Sequence, residues 1–423
     1  MRVAITAGTV QCVSCSTPAK TVEFQGGQLL ENGGSSYAID VPKGKSGVQT
    51  LVATATFSNK ITGEGTLTIN CPVVEGSGWY ATRCQIADDF SQFQGTIKAV
   101  ATSTKDGDPR WTLNIASGLA KGTLDIADNT TVQNTGKTFA IGKVEGDGKL
   151  GGYASFSNNG GSGANTWKLG NDDNWSWKGI ITANSNFTKT GSGKVSLTGA
   201  HDYTGNTVVE EGELHISGKT VKLGTGTLTV KKGAIFSGVT STGALSNSSY
   251  SFNTGSVLQV GASAVATSGK LDFGGKNVTI AKGAIVELGL NSDKTYTTIQ
   301  NIGKLSMNGT ISLHYGTAFE PAVGMEFTLF TEVTTFTGTP VLEDYVVDAE
   351  KGLYWDDSDL ATKGILRITD QVPVGIRAVE RGTQNSDNAP VFDLAGRRVA
   401  DAFGSVSLRP GIYVVGGKKV RVQ

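Results

Sequence analysis

A chain of 423 residues with 37 basic and 37 acidic side chains is long enough for two or three domains and carries no formal net charge. Charge balance argues against nucleic acid as the main partner, and no run of about 18 apolar residues is present to cross a membrane as a helix. With 58 glycines, nine prolines, abundant Thr, Ser, Val and Asn, and no long Leu/Ala/Glu/Lys stretches, the composition predicts an all-β fold of short strands separated by glycine turns.

The first segment, MRVAITAGTVQCVSC, has one Arg and a short apolar run broken by Thr and Gly. That makes a poor signal peptide, and the Val/Ile/Thr alternation predicts a strand instead. The start is therefore expected to be internal or truncated, any secretory leader having been lost. Cys12 and Cys15 are spaced like a redox or zinc knuckle. Cys71 and Cys84 are thirteen apart with no His near them, which disfavours zinc. Two disulfides and buried free thiols both remain open; Cys71 and Cys84 could face each other across a hairpin or between adjacent coils.

Short strands with Gly or Asn turns continue through GEGTLTI (from Gly63) and the stretch from Gly118 to Gly152. Residues 1–180 are read as the β-rich N-terminal part of a solenoid. A β-sandwich, which also has strands at short spacing, competes for this region. NDDNWSW then sets Asp172 and Asp173 beside Trp175 and Trp177. A sugar ring could stack on the indoles while its hydroxyls bond the carboxylates, or calcium could take the hard oxygens. The spacing is not that of a calcium loop. The competing reading is a polar turn with the indoles plugging the fold.

From Gly191 the chain becomes periodic. GSGKVSL (Gly191), GELHI (Gly212), GAIFS (Gly233) and GSVLQV (Gly255) follow at steps of 21, 21 and 22 residues, and GAIVEL (Gly283) comes after a longer step. A glycine followed by alternating apolar residues at such a step is what a β-solenoid requires, because one coil alone cannot bury its apolar face. The solenoid is expected over 181–369. His201, His215 and His314 are the only histidines. The first two could share a coil face and hold a metal, but surface or turn positions are favoured. There is no nucleophile elbow and no triad context for any histidine. WDDSD places Asp356, Asp357 and Asp359 beside Trp355 and is weighed as NDDNWSW was.

The stretch from Phe187 to Gly218 resembles the autotransporter-associated β-strand repeat of bacterial passenger domains, through Tyr203, Thr204, Gly205, Thr207, Val209, Gly212 and Leu214. VGMEFTLFTEVTTFTG (Val323 to Gly338) and LYWDDSDLATKGILRI (Leu353 to Ile368) resemble the closing strands of such passengers. The resemblance implies a right-handed parallel β-helix displayed outside the cell. No translocating β-barrel is recognisable after it.

Residues 370–388 are polar and read as a linker. The last segment, 389–423, has six basic residues from Val391 onward against Asp393 and Asp401. VFDLAGRRV followed by LRPGIYVVGGKKVRV resembles the C-terminal sorting domain of the Bacteroidetes type IX secretion pathway. Phe392, Asp393, Gly396, Arg397, Val399, Leu408, Gly411, Ile412, Tyr413, Lys418 and Val420 carry the match. Phe392 departs from the usual Tyr. The resemblance implies a sorting signal in Asp393, Gly396, Arg397, Gly411, Tyr413 and Lys418, read by export machinery and removed on export. Asp393 to Gly396 and Pro410-Gly411 are turn signals in a small β-sandwich.

The expected whole is all-β, a β-solenoid followed by a small C-terminal β-sandwich. The expected role is a secreted, cell-surface structural or adhesin-type protein attached to the outer membrane, not an enzyme, with no metal or other cofactor. Secretion machinery is the implied partner, together with surface polysaccharide or host glycan. The rival is a polysaccharide-binding appendage or a fragment of a lyase or hydrolase whose catalytic part precedes Met1.

Overall fold

The computed structural model describes residues 2–13, 21–32, 35–51, 56–72, 83–102, 110–113, 117–152, 164–217, 222–241, 243–261, 263, 268–372, 390–392, 398–400, 411–415 and 418–422. The chain divides into two units. The first comprises Met1–Glu320, Phe327–Glu343 and Asp359–Ile365; the second comprises Pro321–Glu326, Asp344–Ser358 and Leu366–Gln423.

The first unit is a parallel β-helix. Its strands fall into sheets of 5, 6, 15 and 8 strands, each running across successive coils. Every named strand pairing in these sheets is parallel and joins one coil to the next, as between Thr96–Thr102 and Thr66–Pro72. The solenoid therefore extends through the N-terminal region, and the β-sandwich alternative is set aside there.

Side chains alternate in and out along each strand, so the inward residues of consecutive coils stand in files. In the eight-stranded sheet one file runs Trp175, Val195, Leu214, Phe236, Leu258, Val286, Ile311 and Leu342. Leu214 and Phe236 are wholly buried. These are the residues that follow Gly191, Gly212, Gly233, Gly255 and Gly283, and the glycine period is thus the coil period. In the fifteen-stranded sheet Leu67, Ile97, Leu124 and Val144 make a comparable file.

Two of the repeat glycines are fixed twice over. Gly191 and Gly212 have φ of 73° and 64°, a region that favours glycine. A Cβ at Gly212 would also stand 2.5 Å from the Gly191 carbonyl oxygen of the coil before it. At Gly233 φ is 80° but nothing lies within 4 Å, so only the backbone conformation is restrictive there.

Val346–Asp348, Leu353–Asp356, Ile365–Thr369 and Glu326–Thr328 make a four-stranded sheet. Leu353–Asp356, read from the sequence as part of the solenoid, makes antiparallel pairings with both of its neighbours. The short helix Leu360–Lys363 closes on Gly364, whose φ is 73°. Strands Arg398–Ala400, Val391–Phe392, Gly411–Val415 and Lys418–Val422 make another four-stranded antiparallel sheet. Val391, Ala400 and Val415 are its buried cluster, with Tyr413 packed against them. The linker from residue 373 onward lies outside the described residues.

Leu214→Ala is expected to cost about 2–5 kcal/mol, and Leu214→Asp more, because the carboxylate would enter a closed apolar file. Ser196→Ala, on the outward face of the adjoining strand, should stay within about 0.5 kcal/mol. Urea unfolding followed by circular dichroism makes the comparison. Similar costs for the Leu214 and Ser196 variants would remove Leu214 from the core.

Candidate functional site

The recognised coil is built from its motif residues. Tyr203 is wholly buried, and its hydroxyl lies 2.5 Å from Thr207 Oγ1. A Cβ at Gly224 would stand 2.2 Å from the Tyr203 ring, so the next coil needs glycine where the ring lies. A Cβ at Gly205 would meet the Ser185 carbonyl oxygen at 2.3 Å. Val209 and Leu214 fill interior files. Asn186 Oδ1 accepts the Asn206 N–H at 2.9 Å, and Asn206 Oδ1 accepts the Thr227 N–H at 2.9 Å. These two bonds tie three successive corners together. Lys189 is buried, its ammonium donating to the carbonyls of Thr190, Gly191 and Glu211 at 2.8, 2.7 and 3.1 Å. Burial pulls it down to about 8. All these roles are architectural.

The carboxylate–indole pair does not form a sugar platform. Trp175 and Trp177 are on the inward side of their strand, with exposed Ser176 between them. Trp177 Nε1 donates to the Gly146 carbonyl at 3.0 Å. The indoles are core residues, the arrangement that the alternative of plugging indoles describes. Asp172 and Asp173 stay at the exposed corner. Asp172 Oδ1 accepts the Ser192 hydroxyl at 2.7 Å and its amide at 3.2 Å, bonds that hold the carboxyl below its ordinary range. Asn171 Nδ2 donates to Asp173 Oδ2 at 3.1 Å. In the second unit, Trp355 is likewise buried. Asp357 accepts the Tyr345 hydroxyl at 2.8 Å, and Asp356 accepts the Ser358 N–H at 3.0 Å. Asp359 pairs with Lys363 at 3.1 Å. Among the described residues no group of three or more His, Cys, Asp or Glu side chains could hold a metal ion.

His201 and His215 do not share a site. His201 is 1% exposed rather than at a surface turn. Its Nδ1 accepts the Ile181 N–H at 2.9 Å, so the proton sits on Nε2, and its ring lies between those of Trp177 and Tyr203, centroids 6.0 and 6.4 Å away. Burial pushes it down to about 4. His215 is on the outward face of the eight-stranded sheet, its Nδ1 2.7 Å from Ser237 Oγ. Ser237 Oγ also bonds Glu213, which pairs with Lys194 at 2.7 Å. Farther along this face, burial raises the Glu287 carboxyl; His314 opposes that shift, and Glu343 and Glu213 add to it. The face gathers carboxylates, histidines and serines from coils far apart in sequence. Nothing in the spacing of Glu213, Glu287 and Glu343 along the chain announces the grouping; only the register reveals it.

Cys12 and Cys71 are both disulfide-bonded. Strands Thr9–Val13 and Thr66–Pro72 are separated by two others in the fifteen-stranded sheet. Three strand steps are about 14 Å, twice the span that a disulfide bridges. The two are therefore not joined to each other. Bonded cysteines indicate an oxidising compartment.

In the tail, Gly411 pairs with Val422 and Tyr413 with Val420 across a hairpin, and Lys418 lies opposite Val415. Tyr413 contributes to the small core. Asp393, Gly396 and Arg397 lie outside the described residues, between two strands that pair antiparallel.

Peptide mapping without reductant should find no peptide joining Cys12 to Cys71; such a peptide would contradict the strand order of the fifteen-stranded sheet. A separate outcome concerns acid. A histidine buried in the neutral form contributes stability present above pH ~6.5 and lost as pH falls through ~4, up to roughly 3 kcal/mol. His201→Asn keeps an acceptor for Ile181 but cannot titrate. Its unfolding midpoint should depend less on pH between about 4 and 6.5 than that of the wild type, and an unchanged dependence would remove His201 as a cause.

Residues 187–216 match the model of the passenger-associated-transport-repeat family. No curated protein matches the chain. No helix among the described residues is long and apolar enough to cross a membrane. The matched segment is the coil that carries Tyr203, Gly205, Gly212 and Leu214. In that segment the chain is similar to a repeat of passenger-type β-helices, a family that points to a secreted or surface protein.

Proposed function

We propose that this chain is a structural or adhesin-type β-helix displayed at the outer surface of a bacterial cell, with its last strands acting as a type IX sorting domain. The observation that carries this reading is the passenger-associated repeat at 187–216, embedded in a ladder of like coils. A solenoid buries its apolar files inside and leaves long sheet faces outside, a form suited to extending a surface rather than enclosing a substrate. The disulfides at Cys12 and Cys71 support export from the reducing cytoplasm. Attachment to the outer membrane and removal of the tail follow from the tail's resemblance alone. Glycans, if bound, would meet the outward polar faces, since the indoles of Trp175 and Trp177 are enclosed.

Deletion of residues 389–423 in a host with that pathway should leave a folded solenoid in the periplasm. Fusion of the same residues to a neutral reporter should bring the reporter to the surface. A deleted chain whose solenoid is still digested by protease added to intact cells would show that the tail is an ordinary β-domain. Depolymerisation of a polysaccharide by the purified chain would instead favour the enzyme reading.

A further inference from the structure

The interior of the first coils holds two carboxylic side chains, Glu31 and Asp88. Glu31 stands opposite Cys12 and Leu51, and Gln49 stands opposite Leu29 and Ile69. Both point inward. Glu31 is 1% exposed, Ser35 3%, Gln49 0%, Asn59 1% and Asp88 0%. These five side chains form one hydrogen-bonded chain across successive coils. Glu31 Oε2 accepts the Ser35 hydroxyl and the Gln49 amide, each at 3.0 Å. Asn59 Nδ2 donates to Ser35 Oγ at 3.1 Å, and the Asn59 N–H donates to Asp88 Oδ1 at 2.6 Å.

The chain is short of hydrogens. Glu31 Oε1, Gln49 Oε1 and Asp88 Oδ2 are buried with no hydrogen-bond partner. All three are acceptors when the carboxyls are ionised. Among the described residues, no Lys or Arg bonds either carboxyl. The charged group that acts on Asp88 is Glu31, which has the same sign. Lys60 is exposed and interacts with Asp89, which is itself outside the interior and bonded to the Ser91 N–H at 3.0 Å. Cys12, opposite Glu31, is disulfide-bonded and does not titrate. Two like charges in a dry interior, each with an unmet acceptor, are costly, and one proton on each carboxyl removes the charge.

We propose that Glu31 and Asp88 form a proton switch inside the first coils: with both carboxyls protonated the coils are closed, and loss of the protons loosens the strands Gln28–Asn32, Ser46–Leu51 and Asp89–Phe93 while later coils stay packed.

Burial raises both groups to about 7, from ordinary values of 4.5 and 3.8. In the unfolded chain both lose their protons below pH ~5, whereas the folded coils keep them to neutrality. The stability they contribute is fully present at acid pH and is lost as pH rises through about 7, opposite to an ordinary ion-paired carboxylate. Loosening stays local because each coil contacts only its neighbours.

Hydrogen exchange of the full chain at about pH 5.5 and about pH 8, corrected for intrinsic rates, tests this. Protection of Gln28–Asn32, Ser46–Leu51 and Asp89–Phe93 should fall at least about tenfold at the higher pH. Thr227–Val230 and Ser249–Phe252 are the internal controls and should change by less than about threefold. Glu31→Gln and Asp88→Asn should each reduce the pH dependence, and the double variant should abolish it. Infrared difference spectra of the wild type need no variant: the protonated-carboxyl band should disappear near neutrality. Equal behaviour of first and later coils, a pH dependence that survives the double substitution, or a band lost below about pH 5 would overturn the switch. Recovery of protection at about pH 8 on adding potassium or calcium would also overturn it, by making the occupant a cation.

Discussion

The side chains of the first unit depend on one contact, made again at every coil: an inward residue rests on the residue in the same register one strand away. The spacing between strands, about 4.8 Å, is shorter than most apolar side chains are wide, so each file must alternate or interleave shapes to stay close-packed. Val195, Leu214, Phe236 and Leu258 do this with residues of different size in successive coils. The glycines at the corners serve the same contact. Were Gly212 to carry a Cβ, the carbonyl of Gly191 would be forced away and the two coils would lose their register.

That contact decides where polar chemistry can lie. Any side chain pointing inward must meet its partners within its own coil or the adjacent ones. Lys189 does so with three carbonyls, and His201 does so through one amide, keeping the imidazole neutral. Outward files have no such restriction, and there the carboxylates Glu213, Glu287 and Glu343 accumulate on the eight-stranded sheet. A parallel stack thus separates an interior that fixes structure from faces on which sequence is free to vary.

The glycine period from Gly191 to Gly255 is legible in the sequence because coil length is nearly constant there and each glycine precedes an inward file. The N-terminal coils are harder to read. Leu67, Ile97, Leu124 and Val144 share a file although they are 30, 27 and 20 residues apart, so no fixed step exposes them. Trp175 and Trp177 do carry a readable signal: two indoles at i and i+2 with a serine between them share one face of a strand, and a strand with one buried face puts indoles inside. The carboxylates beside them obscure it. His201 is misleading for a related reason, because its neighbours Asp202 and Thr204 are polar while its own position faces the interior. Glu31 and Asp88 cannot be found at all without the register that brings residues 57 positions apart back to one interior.

Nearest-neighbour stacking also determines how such interior groups combine. In a compact domain, a histidine that resists protonation and a carboxyl that resists ionisation would act on one cooperative transition, and their pH dependences would partly cancel. Here they lie in different coils. His201 favours folding of the central coils as pH rises, whereas Glu31 and Asp88 favour folding of the first coils as pH falls. Because each coil couples only to its neighbours, the two effects are expected to remain separate in space. Acid would then act first on the coils around Ile181 and Tyr203, and neutral to alkaline medium on the strands Gln28–Asn32, Ser46–Leu51 and Asp89–Phe93. A single global midpoint would average two opposite responses, and the local order of unfolding carries the physical information.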